Sequence, residues 1–183
     1  MRLLSRQARR SVTSAETATA MVVAVSKQAQ TDIVYLKMAL DWSSMSVAIR
    51  LKVGALIVKD GQIISHGHNG TPAGFPNECE LSDGKPLSRH ELLLKHYAGE
   101  PLVTKREVLH AESNAITKVA RTTSSCEGAT LYCTDSCCFE CAKLIIQAGI
   151  KRFVYHREYR ITDGLDLLRE SGIEVVRYDK LED

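Results

Sequence analysis

The stretches HAE at residues 110–112 and CFEC at residues 138–141 decide how the sequence is interpreted. Together they offer three side chains of the kinds that zinc prefers, namely His110, Cys138 and Cys141. Zinc binds imidazole nitrogen and thiolate sulfur in tetrahedral geometry, and a catalytic zinc keeps its fourth position open for water. Glu112 is not needed for coordination and is placed to move protons. The two segments therefore predict a catalytic zinc site, whereas a closed structural site would require a fourth protein ligand and would have no use for Glu112.

Both segments stand at the start of a helical pattern. Helix-like sequence runs from Ala111 to Arg121 and from Phe139 to Ala148, where Gly149 ends the second helix. The positive end of a helix dipole favours a thiolate over a thiol, so this position suits cysteine ligands. We therefore expect each ligand group at a helix N-terminus.

Strand patterns alternate with helical patterns along the rest of the chain. Predicted strands lie at residues 53–58, 129–133, 151–156 and 173–178, and a return strand begins at Ile63 after an Asp-Gly hairpin turn at residues 59–62. Further helices are predicted at residues 32–46 and 164–171, with a shorter piece at residues 91–97. This alternation predicts an α/β domain of three layers, α/β/α, around a central, largely five-stranded mixed sheet.

Composition favours one intracellular domain. The chain has 183 residues, 44% of them hydrophobic, which is enough for one core. Four of its six cysteines fall between Cys133 and Cys141, a clustering that favours metal binding and reduced thiols over disulfides. No apolar run approaches the length of a membrane span. We expect a soluble, cytoplasmic protein without a membrane partner.

Charge is distributed unevenly. The first 31 residues carry a net charge of +4, so the remainder of this chain of net charge +2 carries −2. A nucleic-acid-binding domain normally has a basic footprint. The charge therefore favours a small substrate over nucleic acid.

Residues 1–30 are predicted to be an N-terminal extension of a domain at residues 31–183. They are rich in Arg, Ser, Thr and Ala and nearly free of acids, which is typical of an organellar transit peptide. A disordered extension, or a start at Met21 or Met38, would also explain them, so a mitochondrial or other organellar location is an alternative to the cytoplasm.

The segment from Asn69 to Glu107 is rich in Gly, Pro and charge, and a connection of this length inside a domain is usually functional. Its Cys79, His90 and His96 raise the alternative of a second, structural zinc site, for which a fourth ligand is not evident.

Taken together, these segments resemble the deoxycytidylate (dCMP) deaminases, especially those of phages and bacteria. The resemblance runs from about Ile33 to Tyr178. The segments that carry it are 53–55, 60–65, 69–74, 110–116, 138–143, 147–151 and 159–161. The zinc motif is shared by many deaminases of nucleobases, whereas the loop at 69–74 and the segment at 159–161 are more specific.

The resemblance implies a cytidine-deaminase-like fold and the hydrolytic conversion of dCMP to dUMP and ammonia, which supplies dUMP for dTTP synthesis. It implies Zn²⁺ on His110, Cys138 and Cys141, with Glu112 carrying protons from water to the ring N3 and to the departing amine. Homo-oligomers, commonly hexamers, are also implied.

Further roles follow from the resemblance together with side-chain chemistry. Asn69 would hold the deoxyribose, Arg50 the 5′-phosphate, and Tyr159 would border the nucleotide. Regulation by dCTP as activator and dTTP as inhibitor would use the loop at 69–74. There Gly70 and Gly74 let the backbone approach a triphosphate with Mg²⁺, and Pro72 limits the freedom of the loop; the three effector residues are Gly70, Pro72 and Gly74.

Two positions depart from the family pattern. Cys137 stands where the family has proline before the first zinc cysteine, which offers a competing thiol, and His68 stands where the family has tyrosine before the loop. Two other functions stay open at this point. One is a tRNA or other nucleic-acid deaminase, and the second is a catalytically silent, zinc-stabilised nucleotide-binding protein, which would not need Glu112.

Overall fold

The computed structural model of the chain describes residues 26–181. The helices in this range are α1 (Lys27–Ser43), α2 (Arg89–Tyr97), α3 (Ala111–Val119), α4 (Phe139–Gln147) and α5 (Asp163–Glu170). The strands are β1 (Gly54–Lys59), β2 (Gln62–His68), β3 (Glu80–Leu81), β4 (Val103–Thr104), β5 (Thr130–Asp135), β6 (Arg152–Arg157) and β7 (Glu174–Arg177). Within residues 26–181, no helix is both long enough and apolar enough to cross a membrane.

Five of the strands form one mixed sheet in the order β2-β1-β5-β6-β7. β1 pairs antiparallel with β2 and β5, whereas β5, β6 and β7 run parallel. Side chains alternate between the two faces of the sheet, so neighbouring residues of one strand enter different cores. On β5, Tyr132 packs with α1 on one face, and Cys133 packs with α3, α4 and α5 on the other. The predicted three-layer fold with a mixed five-stranded sheet is confirmed.

The first helix begins earlier and ends earlier than the sequence predicts. α1 starts at Lys27, because the Ser26 hydroxyl accepts a hydrogen bond from the Ala29 N–H and so caps the helix. Residues 27–30 therefore form its first turn, and the Gln28 side chain donates to Asp32. The domain boundary predicted at residue 31 falls inside this helix. Most of the predicted extension, residues 1–25, lies outside the described residues.

The hairpin between β1 and β2 forms as predicted. Asp60 and Gly61 both have positive φ, 50° and 74°, as a two-residue type I′ turn requires. β2 lies against α3 so closely that a Cβ atom on Gly67 would stand 2.2 Å from the Ala111 carbonyl oxygen. This close contact fixes the N-terminal turn of α3 on the sheet.

The long segment between β2 and α3 contains a small ribbon that the sequence did not predict. β3 and β4 form a two-residue antiparallel ribbon in which Glu80 faces Thr104. Between them lies α2, which begins two residues before the helical piece predicted at residues 91–97, at a capping box made by Ser88 and Glu91. The base of the segment is closed by two backbone hydrogen bonds between Gly70 and Leu109.

Candidate active site

His110, Cys138 and Cys141 come together as the sequence predicts. Their ligand atoms all lie within 4.8 Å of one another, and His110 Nδ1 is 3.3 Å from Cys138 Sγ and 3.5 Å from Cys141 Sγ. His110 is exposed, Cys138 is half-buried and Cys141 is buried, so one side of the group stays accessible. One imidazole and two thiols with an open side fit a zinc ion that keeps a position for water.

The local folding of α3 and α4 leaves these side chains available. His110 and Cys138 are the N-cap residues of the two helices, yet neither side chain caps its own helix. Hydrogen bonds with Cys141 and with His110 lower the pKa of Cys138, although burial opposes the shift. These contacts favour the thiolate of Cys138, which is the form that binds metal.

Glu112 lies in the first turn of α3 beside this group. Its side chain is only 4% exposed, and it borders a cavity of about 480 Å³. Burial raises the pKa of Glu112 to about 7, while its own backbone N–H and the nearby His110 oppose the shift. Within residues 26–181 no other side chain donates a hydrogen bond to its carboxyl group. A carboxyl group held in this way can both accept and release a proton near neutral pH.

Arg50 and Tyr159, which the sequence singled out, also border the cavity. The Arg50 guanidinium is exposed and donates from Nη1 to the Thr104 hydroxyl at 2.8 Å. The Tyr159 backbone N–H donates to the Ser136 hydroxyl at 2.8 Å, and the Arg160 guanidinium lies 5.4 Å from the centre of the Tyr159 ring. Arg50 and Tyr159 are therefore both on the cavity wall, as is Arg160.

Asn69 borders the cavity too, but its amide group is already engaged. Its Oδ1 accepts from the Val53 N–H and its Nδ2 donates to the Leu51 carbonyl, both at 2.8 Å. Asn69 therefore holds the chain before β1. One lone pair and one amide hydrogen are left for a ligand.

The three predicted effector residues are not on the cavity wall. Gly70 is paired with Leu109, and Gly74 has a φ of 92°, which glycine adopts without strain. The Pro72 carbonyl accepts from the Phe75 N–H, and the Phe75 side chain is 55% exposed. The loop at 69–74 thus lies outside the cavity, apart from Asn69 at its start.

Several wall residues were not predicted as site residues. Asp135 ends β5 and accepts a hydrogen bond at 2.8 Å from Arg157, which ends β6. Other polar wall residues of this kind are Glu80, Thr104, Ser136, Glu158 and Arg160. A usable signal was present for the first two, because the carboxyl ends of neighbouring parallel strands meet at one edge of the sheet, where ligands bind.

The two departures from the family pattern have different structural consequences. Cys137 is fully buried in the core between the sheet and the helices, and burial raises the pKa of its thiol. It is not part of the metal-ligating group, the name used here for His110, Cys138 and Cys141. The His68 ring is half-buried, and burial together with Lys118 lowers its pKa. Neither side chain borders the cavity.

A second metal site is not formed by Cys79, His90 and His96. Cys79 is buried, whereas His90 and His96 both lie in α2 and are exposed. In the part of the chain from residue 26 to residue 181, the one group of three or more possible metal ligands is His110, Cys138 and Cys141.

Comparisons with known proteins agree with this geometry. The family model described as "Cytidine and deoxycytidylate deaminase zinc-binding region" matches residues 29–157. The deoxycytidylate deaminase of enterobacteria phage T4 is 40% identical over 154 residues, which cover 70% of this chain and 80% of the relative. That of Saccharomyces cerevisiae is 30% identical over 158 residues, covering 83% and 46%. The crystal structure of the dCMP deaminase from cyanophage S-TIM5 in complex with dCMP and dUMP matches with a TM-score of 0.68 and 44% identity, covering 79% of this chain and 94% of that one.

Proposed function

The chain belongs to the cytidine and deoxycytidylate deaminase family and is a deaminase, and we propose that it hydrolyses dCMP to dUMP and ammonia. The observation that carries the proposal is the layout of the cavity. Its wall carries the buried Glu112 beside the ligand candidates His110 and Cys138, and it also carries the exposed residues Arg50, Arg157 and Arg160. A nucleotide with an uncharged base and a charged phosphate matches this combination.

We propose that Zn²⁺ is held by His110, Cys138 and Cys141. When bound, zinc lowers the pKa of a water molecule from ~15.7 to about 7, which makes hydroxide available at neutral pH. Glu112 would take up one proton from water and deliver it to the ring N3 as the water oxygen bonds to C4. It would then take up the proton of the hydroxyl group now on C4 and deliver it to the amine as the C4–N bond breaks. A single carboxyl group suffices, since proton uptake and release alternate.

We propose the substrate contacts from the sugar to the phosphate. Asn69 contacts the deoxyribose with the amide hydrogen and lone pair that its backbone bonds leave free. Arg50, with Arg160 as a second cation, binds the 5′-phosphate through paired hydrogen bonds. Tyr159 borders the nucleotide between them.

The experiment that tests the proposed function measures ammonia release and zinc content for purified protein. The substrates offered are dCMP, 5-methyl-dCMP, dCTP, deoxycytidine and single-stranded DNA. Turnover highest with dCMP supports the proposal. Turnover highest with single-stranded DNA would favour a nucleic-acid deaminase. No turnover in zinc-loaded protein would favour a silent nucleotide-binding protein, and either result contradicts the proposal.

The ligand set is tested separately. Cys138→Ser and Cys141→Ser are expected to lose most bound zinc and activity. Cys137→Ser is the matched control, because Cys137 lies next to a ligand yet faces the core, and this variant is expected to keep stoichiometric zinc. Full zinc in both ligand variants would show that the ligand set is wrong.

Regulation by dCTP and dTTP through the loop at 69–74 is a further part of the proposal. Gly70, Pro72 and Gly74 lie outside the cavity, so a triphosphate with Mg²⁺ would bind there without blocking dCMP. Linkage then requires that substrate and activator strengthen each other's binding. The test compares dCMP saturation curves with and without each triphosphate. Identical curves, together with no calorimetric binding of dCTP or dTTP outside the cavity, would contradict this part alone.

We also propose a homo-oligomer, with a hexamer as the expected size, and a cytoplasmic location in which the product dUMP supplies dTTP synthesis. Light scattering coupled to gel filtration measures the first. Imaging of the full chain, compared with a chain that starts at Met21, measures the second and reports on the alternative organellar location.

A further inference from the structure

A buried carboxylate outside the metal-ligating group holds the backbone that carries Arg50. Glu80 is only 1% exposed, and its Oε1 accepts two consecutive backbone N–H groups, from Ile49 at 2.9 Å and from Arg50 at 3.2 Å. Hydrogen bonds to an ionised acceptor are stronger than neutral ones. The position of the Arg50 backbone is therefore set by a side chain from a distant part of the sequence.

The residue opposite Glu80 holds the other end of the same arginine. Glu80 and Thr104 are directly paired across the β3–β4 ribbon, and the Thr104 hydroxyl accepts from Arg50 Nη1 at 2.8 Å. One cross-strand pair thus contacts both the backbone and the guanidinium of Arg50. Two points of attachment restrict where the guanidinium can lie, which a single contact would not do.

The chain around Arg50 has little structure of its own. Residues 46–53, called here the Arg50 segment, contain no helix or strand. Besides Glu80, Asn69 bonds to Leu51 and Val53, and Arg89 donates to the Val47 carbonyl. Glu80, Asn69 and Arg89 all belong to the long connection between β2 and α3, whereas β6 contributes one bond, from Arg157 to the Lys52 carbonyl at 3.5 Å. That connection therefore supplies most of the hydrogen bonds that hold the segment.

We infer that Glu80 is a positioning residue that, with Thr104, holds Arg50 where it meets the 5′-phosphate of the substrate, and so favours nucleotides over nucleosides. The inference rests on the proposed function, because it takes Arg50 as the phosphate ligand. Glu80 itself acts through Arg50 and not on the reacting atoms.

The test is a double-mutant cycle between Glu80→Ala and Arg50→Ala, with kcat and KM measured for dCMP. Loss of charge-assisted hydrogen bonds is expected to raise KM by ~10- to 100-fold and to leave kcat within ~3-fold. In the Arg50→Ala background the same change is expected to alter KM by less than ~3-fold, since coupled residues are not additive. Glu80→Gln, which keeps an acceptor oxygen, is expected to recover most of the loss.

A matched control and a second variant keep the test decisive. Glu107→Ala removes an exposed carboxylate from the same connection and is expected to change neither parameter. If Glu80→Ala does not fold, Thr104→Val removes only the hydroxyl and is expected to raise KM by ~2- to 10-fold, again only when Arg50 is present.

An equal rise of KM with and without Arg50 would overturn the inference, and so would a loss confined to kcat. An equal loss for dCMP and for deoxycytidine would overturn it too. Failure of the proposed function is distinguishable, because it appears as a parent protein inactive on dCMP. In that case amide hydrogen exchange still decides whether Glu80 holds the Arg50 segment. Exchange ~10-fold faster in Glu80→Ala, but not in Glu107→Ala, supports the positioning role, and unchanged exchange contradicts it.

Discussion

Two buried acids on opposite faces of the sheet behave in opposite ways. Asp32, in α1, is fully buried, and its carboxylate accepts five hydrogen bonds. The donors are Arg152, which donates twice, Gln28, Tyr132 and Tyr178. Glu112, in α3, is buried almost as deeply without a donating side chain from any other described residue. The carboxylate of Asp32 is thus fully hydrogen-bonded, which stabilises its charged form. The carboxyl group of Glu112 lacks such donors and binds a proton more readily.

The difference explains which site does chemistry. Burial alone would raise the pKa of Asp32, but the hydrogen bonds from Arg152, Gln28 and the two tyrosines lower it below its usual value. Burial raises the pKa of Glu112 to about 7 because few donors oppose it. A buried acid without partners destabilises the fold and persists where function needs it. By this criterion Asp32 is a structural residue, and Glu112 fits the role of proton carrier that we propose for it.

The largest expected effect is on turnover at the unsatisfied acid. Glu112→Gln keeps the size and polarity of the side chain but removes the group that carries protons. We expect kcat for dCMP to fall by ~10²–10⁴-fold, with zinc content and melting temperature unchanged. Deamination within ~10-fold of the parent would remove Glu112 from the mechanism and make the two acids equivalent.

The matching change at the satisfied acid should affect stability and leave the chemistry intact. Asp32→Asn leaves the half-buried Arg152 without its main partner, and breaking a buried pair costs about 3–5 kcal/mol. We expect that loss in the free energy of unfolding measured by urea denaturation. The kcat of the folded fraction should stay within ~2-fold of the parent. A fall in kcat as large as that of Glu112→Gln would show that the two faces of the sheet are coupled.

Most of the fold and the metal-ligating group could be predicted from the sequence, because each depends on local patterns. The dipeptide Asp60-Gly61 gave the hairpin, and the spacing of Cys138 and Cys141 on one helix turn gave two ligands. The predicted start of α1 is about five residues late. The helix begins where Ser26 caps it, and its first turn shows no clear apolar pattern in the sequence.

The rest of the site depends on contacts that no local pattern reports. β3 and β4 are two residues long, too short for a period of two to be visible. In the sequence, Glu80 is therefore only one acid in a charged connection, although in the structure it accepts hydrogen bonds from the backbone of Ile49 and Arg50. The four residues that donate to Asp32 likewise lie far apart in the sequence: Gln28 in α1, Tyr132 in β5, Arg152 in β6 and Tyr178 directly after β7. Only the fold brings them together.

The contrast between the acids also predicts a pH dependence of stability. The pKa of Asp32 is lowered in the folded state relative to about 3.9 for an unperturbed aspartate. Its stabilising contribution is therefore fully present above about pH 4 and is lost as the pH falls through the lower, folded-state value. We expect the difference in unfolding free energy between the parent and Asp32→Asn to be constant from about pH 5 to pH 8 and to shrink below about pH 4. A difference that grows on acidification would contradict this assignment.

The smallest expected effect comes from removing a single donor to Asp32. Tyr178→Phe deletes one hydroxyl that donates to Oδ2 at 2.9 Å, and Tyr132→Phe deletes one that donates to Oδ1 at 2.8 Å. Because Arg152 still donates to both oxygens, either change should cost only about 0.5–1.5 kcal/mol in the free energy of unfolding. The Tyr132 change should cost more, since its ring is 2% exposed and water cannot replace the lost donor. Urea denaturation of both variants beside Asp32→Asn measures the order. If either tyrosine change cost as much as Asp32→Asn, that hydroxyl, and not Arg152, would be the main partner of the carboxylate. A neutral donor, and not an ion pair, would then be what distinguishes Asp32 from Glu112.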